Sequence, residues 1–411
     1  MKKFLIALIT LLVLVRIYFL YSSFNFESMV FTKDSFHYIE ISKDFFSKYI
    51  NGKNDNFWIY TFRLPGYPFI LLLINSISEV RYVIYINLIF DLISSIYIFK
   101  FLYKFSKSTF TSYFGVVLFL LNSNILISST QIMTESVSTA LLLVSVFYID
   151  QNSMSKNLIS GISLGLFSLI KPLGIYILFL FIFYKIFYFR KKIKEIIIFS
   201  FIPLCLISLI YTNNYQNYNT FFYSTSSYFH TQWFNDASDA LCEELNFNQL
   251  RVSEPGYKFE LWKESNNFDS FTNPEIFINT LRNDSNKNVF RNIDCKIISA
   301  SRSIAWNMFG IRQSNWNNSF LNQSSINIVK IYSLFYVTCI NFVFLFTIFK
   351  SIKSKHSYLI YLIIFYLAMT SIIPFGNARI RVLIEPYLVI LFVLNLGNFV
   401  KPFQDWIKKS K

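Results

Sequence analysis

Arg63-Leu64-Pro65-Gly66-Tyr67-Pro68-Phe69-Ile70-Leu71-Leu72-Leu73-Ile74-Asn75-Ser76-Ile77-Ser78 is the stretch on which the topology of the whole chain turns. Its apolar part, 66–78, is 13 residues long, whereas a helix needs about 20 apolar residues to cross a bilayer. Pro65 and Pro68 bracket its start, and proline is tolerated in the first turn of a helix. The stretch reads as an interfacial or re-entrant helix at one face of a membrane.

Apolar runs long enough to span lie on either side of it, at 4–22, 82–104, 109–127, 132–149, 157–171, 173–189, 195–212, 326–349, 357–374 and 381–399. They predict an all-α polytopic membrane protein with about ten crossings. If 66–78 does not cross, the basic clusters fall on one side. These are Lys104 with Lys107, Lys156, Arg190-Lys191-Lys192-Lys194, Lys350-Lys353-Lys355, the lysine-rich C-terminus and Lys2-Lys3. Positive clusters in short loops stay in the cytoplasm, so both termini are expected there, in the cell membrane. Were 66–78 to cross, every cluster after it would face out. The first run is too long for a signal-peptide core and lacks a small-residue cleavage site, so it reads as an uncleaved helix.

Composition agrees. Of 411 residues, 54% are hydrophobic, 20% aromatic and 15% charged, with a mean hydropathy of +0.43. A soluble domain carries about 25% charge. The net charge of +15 comes from clusters that follow apolar runs, which is a membrane-orientation pattern and excludes a nucleic-acid partner. Cys205 and Cys339 fall in apolar runs and read as inert core residues, whereas Cys242 and Cys295 fall in a polar segment where they can pair.

This topology divides the chain into three parts. Residues 1–212 form an N-terminal transmembrane catalytic module with a first outer loop at 23–81. Residues 213–325 form a large extracytoplasmic loop, and 326–411 carry the C-terminal transmembrane helices. The large loop holds 11 acidic against nine basic residues, and long loops escape the charge rule.

In motifs and short turns on the outer side, six charges are candidates: Asp34, Arg63, Glu135, Lys171, Arg379 and Arg381. A lipid-linked phosphate needs cations at headgroup depth, and glycosyl transfer needs a carboxylate to take the proton of an incoming hydroxyl. Each residue also has a purely structural reading. Asp34 and Glu135 can cap helices, and Arg63 and Lys171 can snorkel. Arg379 and Arg381 break the positive-inside pattern in a short loop, and the joint placement favours a site. Asp91, inside a crossing, reads as a structural polar contact facing the bundle interior, and Arg16 and Lys185 read as snorkelling. The three histidines, His37, His230 and His356, lie in separate segments without metal-ligand spacing.

Five motifs carry a resemblance: Asp34-Ser35-x-x-Tyr38, the Arg63-to-Pro68 element, Thr134-Glu135-Ser136, Lys171-Pro172 after Gly161 and Gly165, and Arg379-x-Arg381-x-x-x-Glu385-Pro386. In their order and spacing the chain resembles bacterial members of the protein O-mannosyltransferase-like glycosyltransferases (family 39), within the membrane-embedded C-type glycosyltransferase superfamily. The likeness covers most of the chain except 213–325. It implies the C-type fold, with Asp34 as general base and Arg63, Lys171 and Arg379, with Arg381 beside it, holding a lipid phosphate. Glu135, Tyr38 and Tyr67 would shape the substrate pocket. The implied donor is a polyprenyl-phosphate sugar, transferred with inversion to a glycan, lipid or protein acceptor. Relatives in the superfamily use divalent metals, but the adjacent acid pair common in the family is here Asp34-Ser35, and no ligand cluster is visible.

A polysaccharide polymerase shares the lipid-phosphate chemistry and places basic catalytic residues in its large loop. A flippase or transporter of lipid-linked sugars would need polar residues along its crossings. A purely structural role leaves the clustered outer charges unexplained.

Overall fold

A computed structural model describes residues 2–52, 57–242, 274–286, 292–310, 323–351, 356–371 and 378–396. The described residues form helices and no strand. In chain order they are α1 (Lys2–Phe24), α2 (Glu27–Val30), α3 (Lys33–Lys43), α4 (Phe57–Phe62), α5 (Gly66–Asn75), α6 (Val83–Ser106), α7 (Thr109–Leu121), α8 (Ser123–Ser129) and α9 (Glu135–Tyr148). There follow α10 (Met154–Ser168), α11 (Gly174–Phe183), α12 (Ile193–Tyr218), α13 (Ser226–Cys242), α14 (Pro274–Asn286), α15 (Ile293–Phe309), α16 (Gln323–Ser351), α17 (Ser357–Thr370), α18 (Ala378–Arg381) and α19 (Glu385–Leu396). Lys353, Lys355 and the C-terminal lysines, on which part of the expected orientation rests, lie outside the described residues.

Every expected crossing contains a helix, but fewer reach spanning length than the sequence predicts. Among the described residues four are long and apolar enough to cross a membrane: α1, the helix ending at Ser106, α12 and α16. A fifth arises if α7 and α8 count as one span bent by 59°. The remaining apolar helices are shorter, α5 among them at 10 residues.

The bend shows why ionisable residues occupy the apolar helices. Asn122 interrupts the helix and caps the next, its side-chain oxygen accepting from the Asn124 and Ile125 amides at 2.9 and 3.3 Å. The interruption orphans carbonyls at the end of α7, and in an apolar surround such groups must be satisfied from within the protein. Arg16 of α1 does this, donating to the Leu120 carbonyl at 3.0 and 2.8 Å and to the Asn122 carbonyl at 3.3 Å. It also pairs at 3.0 Å with Asp91 of α6, both side chains being 2% exposed. Asp91 accepts from Ser129 at 2.6 Å, and Asn87 donates to the Ser129 and Gln131 carbonyls at 3.3 and 2.9 Å.

Arg16 therefore does not snorkel, because its guanidinium is the donor that the broken helix lacks. Lys185 does not either: it is fully buried and donates to the Ile149 carbonyl at 2.8 Å and to Asn157 at 2.6 Å. Cys205, expected in the core, is exposed on α12, and Cys339 is partly so. Cys295 is disulfide-bonded.

Gly161 and Gly165 of α10 let α12 approach closely. A Cβ on Gly161 would sit 2.2 Å from the Phe199 carbonyl oxygen. That carbonyl has no helical donor, because Pro203 stands four residues further on. Gly66 plays a similar part at the start of α5: its amide donates to the Leu169 carbonyl at 2.8 Å, and a Cβ would meet the same oxygen at 2.8 Å. The α5 start is thereby fixed against the turn that carries Lys171.

Replacing Arg16 with Met leaves the Asp91 carboxylate and the Leu120 carbonyl buried without their cation, a loss expected to cost about 3–5 kcal/mol. The double variant Arg16→Met/Asp91→Leu is expected to recover most of it. Reversible unfolding in detergent measures both, and a single variant as stable as the parent would mean that the pair is dispensable.

Candidate active site

The local structure of α3 explains why Asp34 is available. Thr32 is the helix cap, its hydroxyl accepting from the Ser35 amide at 3.3 Å, and Ser35 accepts from the Thr32 amide at 2.9 Å. With both members of this capping box supplied by neighbours, Asp34 in the first turn is not needed as a cap. Ser35 also donates to the Ile132 carbonyl at 2.9 Å, which ties α3 to the segment entering α9.

Asp34 receives two arginines. Arg63 donates to one carboxylate oxygen and Arg379 to the other. Arg63 is held over the rings of Phe62 and Tyr38, at 4.7 and 4.9 Å from their centroids, and donates to the Tyr38 hydroxyl at 3.3 Å. Tyr38 meets the buried ring of Tyr67 edge-on at 5.1 Å. The Arg-x-Pro-Gly-Tyr element thus delivers an arginine and a tyrosine to the same place.

Arg379 reaches a second carboxylate. Its Nε donates to Glu135, which opens α9 and is 1% exposed. Lys171, in the turn between α10 and α11, donates to the same oxygen at 3.2 Å. Five of the six expected charges therefore form one connected group, running Lys171–Glu135–Arg379–Asp34–Arg63. Three cations less two carboxylates leaves a charge of +1.

Arg381 does not join them. It is fully buried and pairs with Glu385, also fully buried, and it donates to Asn341 at 3.0 Å. Asn124 of α8 donates to the same Glu385 at 3.2 Å. Arg381 is thus an anchor for the segment carrying Arg379, and its full burial sets it apart from the partly exposed Arg63, Lys171 and Arg379. Tyr366 secures the same segment through the Ile380 carbonyl at 2.7 Å.

Electrostatics within the group are uneven. Burial alone would raise the Asp34 pKa, but the charges of Arg63 and Arg379 override it and hold the carboxyl well below its usual range. Burial would lower Arg379, and Glu135 and Asp34 together push it well above the ordinary arginine value. His37 is lowered by burial and by Arg63.

The sequence gives no sign of His230. It lies on α13, in the segment expected to be a large loop, and its ring centroid is 5.9 Å from that of Phe62. The approach is set by the Thr225 amide donating to the Thr61 carbonyl and the Ser224 hydroxyl to the Phe62 carbonyl, each at 2.9 Å. Burial, then Arg63, lowers His230 to about 4. A histidine in a polar stretch without a motif carries no signal; only this backbone pairing brings it in.

A divalent metal does not suit this group. Both carboxylates already face arginine or lysine, and no cluster of three or more His, Cys, Asp or Glu occurs among the described residues. No protein-family model matches the chain, and no curated protein is significantly similar to it. The geometry of the charged group is what a functional reading has to rest on.

His230 supplies a pH test. Unfolded, it titrates near about 6.5; folded, near about 4. Between those values the unfolded chain takes a proton that the folded chain refuses, so this share of stability is present at neutral pH and lost as pH falls from about 6.5 towards 4. His230→Gln is expected to flatten that part of the profile, read as unfolding temperature in detergent from pH 7 to 4.5. An unchanged profile would mean that His230 titrates normally in the folded protein.

Proposed function

We propose that the chain is a membrane glycosyltransferase of the C-type superfamily, moving a sugar from a polyprenyl-phosphate donor to an acceptor hydroxyl on the extracytoplasmic face. The observation that carries this reading is the pairing of two carboxylates with three cations drawn from distant parts of the chain. The C-type fold and the topology of about ten crossings, with cytoplasmic termini, belong to the same proposal.

In the reaction the acceptor oxygen attacks the anomeric carbon from the face opposite the phosphate. The C–O bond to phosphate breaks, its electron pair leaves with the lipid phosphate, and the anomeric centre inverts. Arg63, Arg379 and Lys171 offset the charge on the leaving phosphate, where guanidinium forks suit its oxygens. The acceptor proton passes to Asp34. On this proposal Tyr38, Tyr67 and Glu135, packed beside the charged group, shape the substrate pocket.

At rest Asp34 is too well paired to be a strong base. A phosphate that draws Arg63 and Arg379 towards itself weakens both pairings and raises the basicity of Asp34 as the donor binds. A base that is released by its own co-substrate is kept inactive towards stray acceptors.

Buried ionisable groups along the helices would also suit a flippase. Here Arg16, Asp91 and Lys185 are engaged with backbone carbonyls or each other, which favours a structural role. The polymerase reading keeps the same donor chemistry and differs in acceptor.

Asp34→Asn preserves shape and leaves the Thr32 cap intact. It is expected to lower transfer by about 10²–10⁴-fold, the usual worth of general-base assistance, while the protein still binds a radiolabelled polyprenyl-phosphate sugar. Turnover near the parent level in this variant would remove Asp34 as the base and make Glu135 the next candidate.

A further inference from the structure

Two helices of the 213–325 segment have opposite polarity. On α14 the inward residues are apolar: Phe277, Ile278 and Leu281 are buried together against Tyr218 and Phe222. That is how a helix packs when its outer side meets water. On α15 Lys296, Ser299, Ser303 and Asn307 are buried with Met308, while Ile293, Ile297, Ile298, Trp306 and Phe309 face outward with Asp294 and Ser301. Trp306 and Ile297 are 57% and 61% exposed.

The inner side of α15 packs on α13 and, at its C-terminal end, on the apolar helices α16 and α17. Asn307 donates to Thr370 at the end of α17 at 3.4 Å, and Asn341 of α16 donates to the Met308 carbonyl. Asn341 stands 18 positions after Gln323 (341 − 323), inside the 323–346 stretch that is apolar enough to cross a membrane. At 1.5 Å per residue that is about 27 Å along the helix. The end of α15 therefore lies beside the apolar part of a helix long enough to span.

We infer that α15 is a membrane-embedded helix whose outward face contacts lipid hydrocarbon, although the sequence around it reads as an aqueous loop. A polar-in, apolar-out helix is the arrangement expected where the solvent is lipid, since polar groups gain partners inside and apolar ones lose nothing outside. Arg302 shares the outward face. The aromatic pair Trp306 and Phe309 suits the same surroundings. This inference is independent of the glycosyl-transfer reading, because it uses none of the charged group's residues.

Spin labels test it. In a Cys205→Ser/Cys339→Ser background, labels are placed at Ile297→Cys and Trp306→Cys, with Asn283→Cys on the exposed side of α14 as an aqueous reference. The full chain is reconstituted into phosphatidylethanolamine–phosphatidylglycerol vesicles, and power saturation compares collisions with oxygen and with a water-soluble nickel chelate. The oxygen-to-nickel ratio at both α15 sites is expected to be several-fold above that at 283. A ratio equal to the reference would place the face in water, and poor access to both reagents would mean that protein covers it; either overturns the inference. A variant that fails to insert is replaced by its neighbour Ile298→Cys or Phe309→Cys, read in the same way.

Discussion

Arg379 donates to Asp34 and to Glu135, two carboxylates from helices about a hundred residues apart in sequence. Without a shared cation the two negative charges would repel in a partly buried place, and α3 and α9 would be driven apart. The remaining contacts of the site assume this bridge. Arg63 takes the other oxygen of Asp34, and Lys171 shares the Glu135 oxygen that Arg379 uses. The bridge in turn needs the short α18 held in place, which Arg381 does from two residues away by pairing with Glu385 and Asn341. Two arginines that look equivalent in sequence thus divide the work, one joining the carboxylates and the other fixing the segment that presents it.

The framework reaches the site by a second route. The bend between α7 and α8 would be unaffordable in an apolar surround without Arg16, Asn122 and Asn87. Asp91 holds Ser129 on one side of α8, and Glu385 accepts from Asn124 on the other. From Ser129 the chain runs directly to Glu135, with the Ile132 carbonyl accepting from Ser35 beside Asp34. Polar groups buried in the apolar helices therefore position the start of α9, and through it one carboxylate of the charged group.

Much of this was legible because the charges lie in short motifs. Placed in short turns and recognisable motifs, Asp34, Arg63, Glu135, Lys171 and Arg379 stood out, and the fold brings them together. Arg381 lies apart from them, and an Arg-x-Arg spacing says nothing about which side chain turns inward. His230 was missed because its place depends on residues 224–225 pairing with 61–62, a contact between distant segments. The helices are shorter than the apolar runs for a different reason. A hydropathy window runs smoothly over Asn122 and through 130–134, where the backbone leaves the helix. The window also averages α15 with polar neighbours and hides that its polar residues lie on the inner side.

The excess of one positive charge in the group has a mechanistic meaning on the glycosyl-transfer reading. A site of matched charges would gain little from an arriving phosphate, since each cation would exchange one anionic partner for another. With three cations and two carboxylates, the phosphate finds a net attraction before any pair has to break. Lys171 and Arg379 already share a single Glu135 oxygen, so one of them can turn to the phosphate while the other keeps Glu135 neutralised. Arg63 and Arg379 stand in the same relation to Asp34, one on each oxygen. Phosphate binding can therefore loosen each carboxylate without stranding either, and the carboxylate loosened beside the acceptor is the one needed to take a proton.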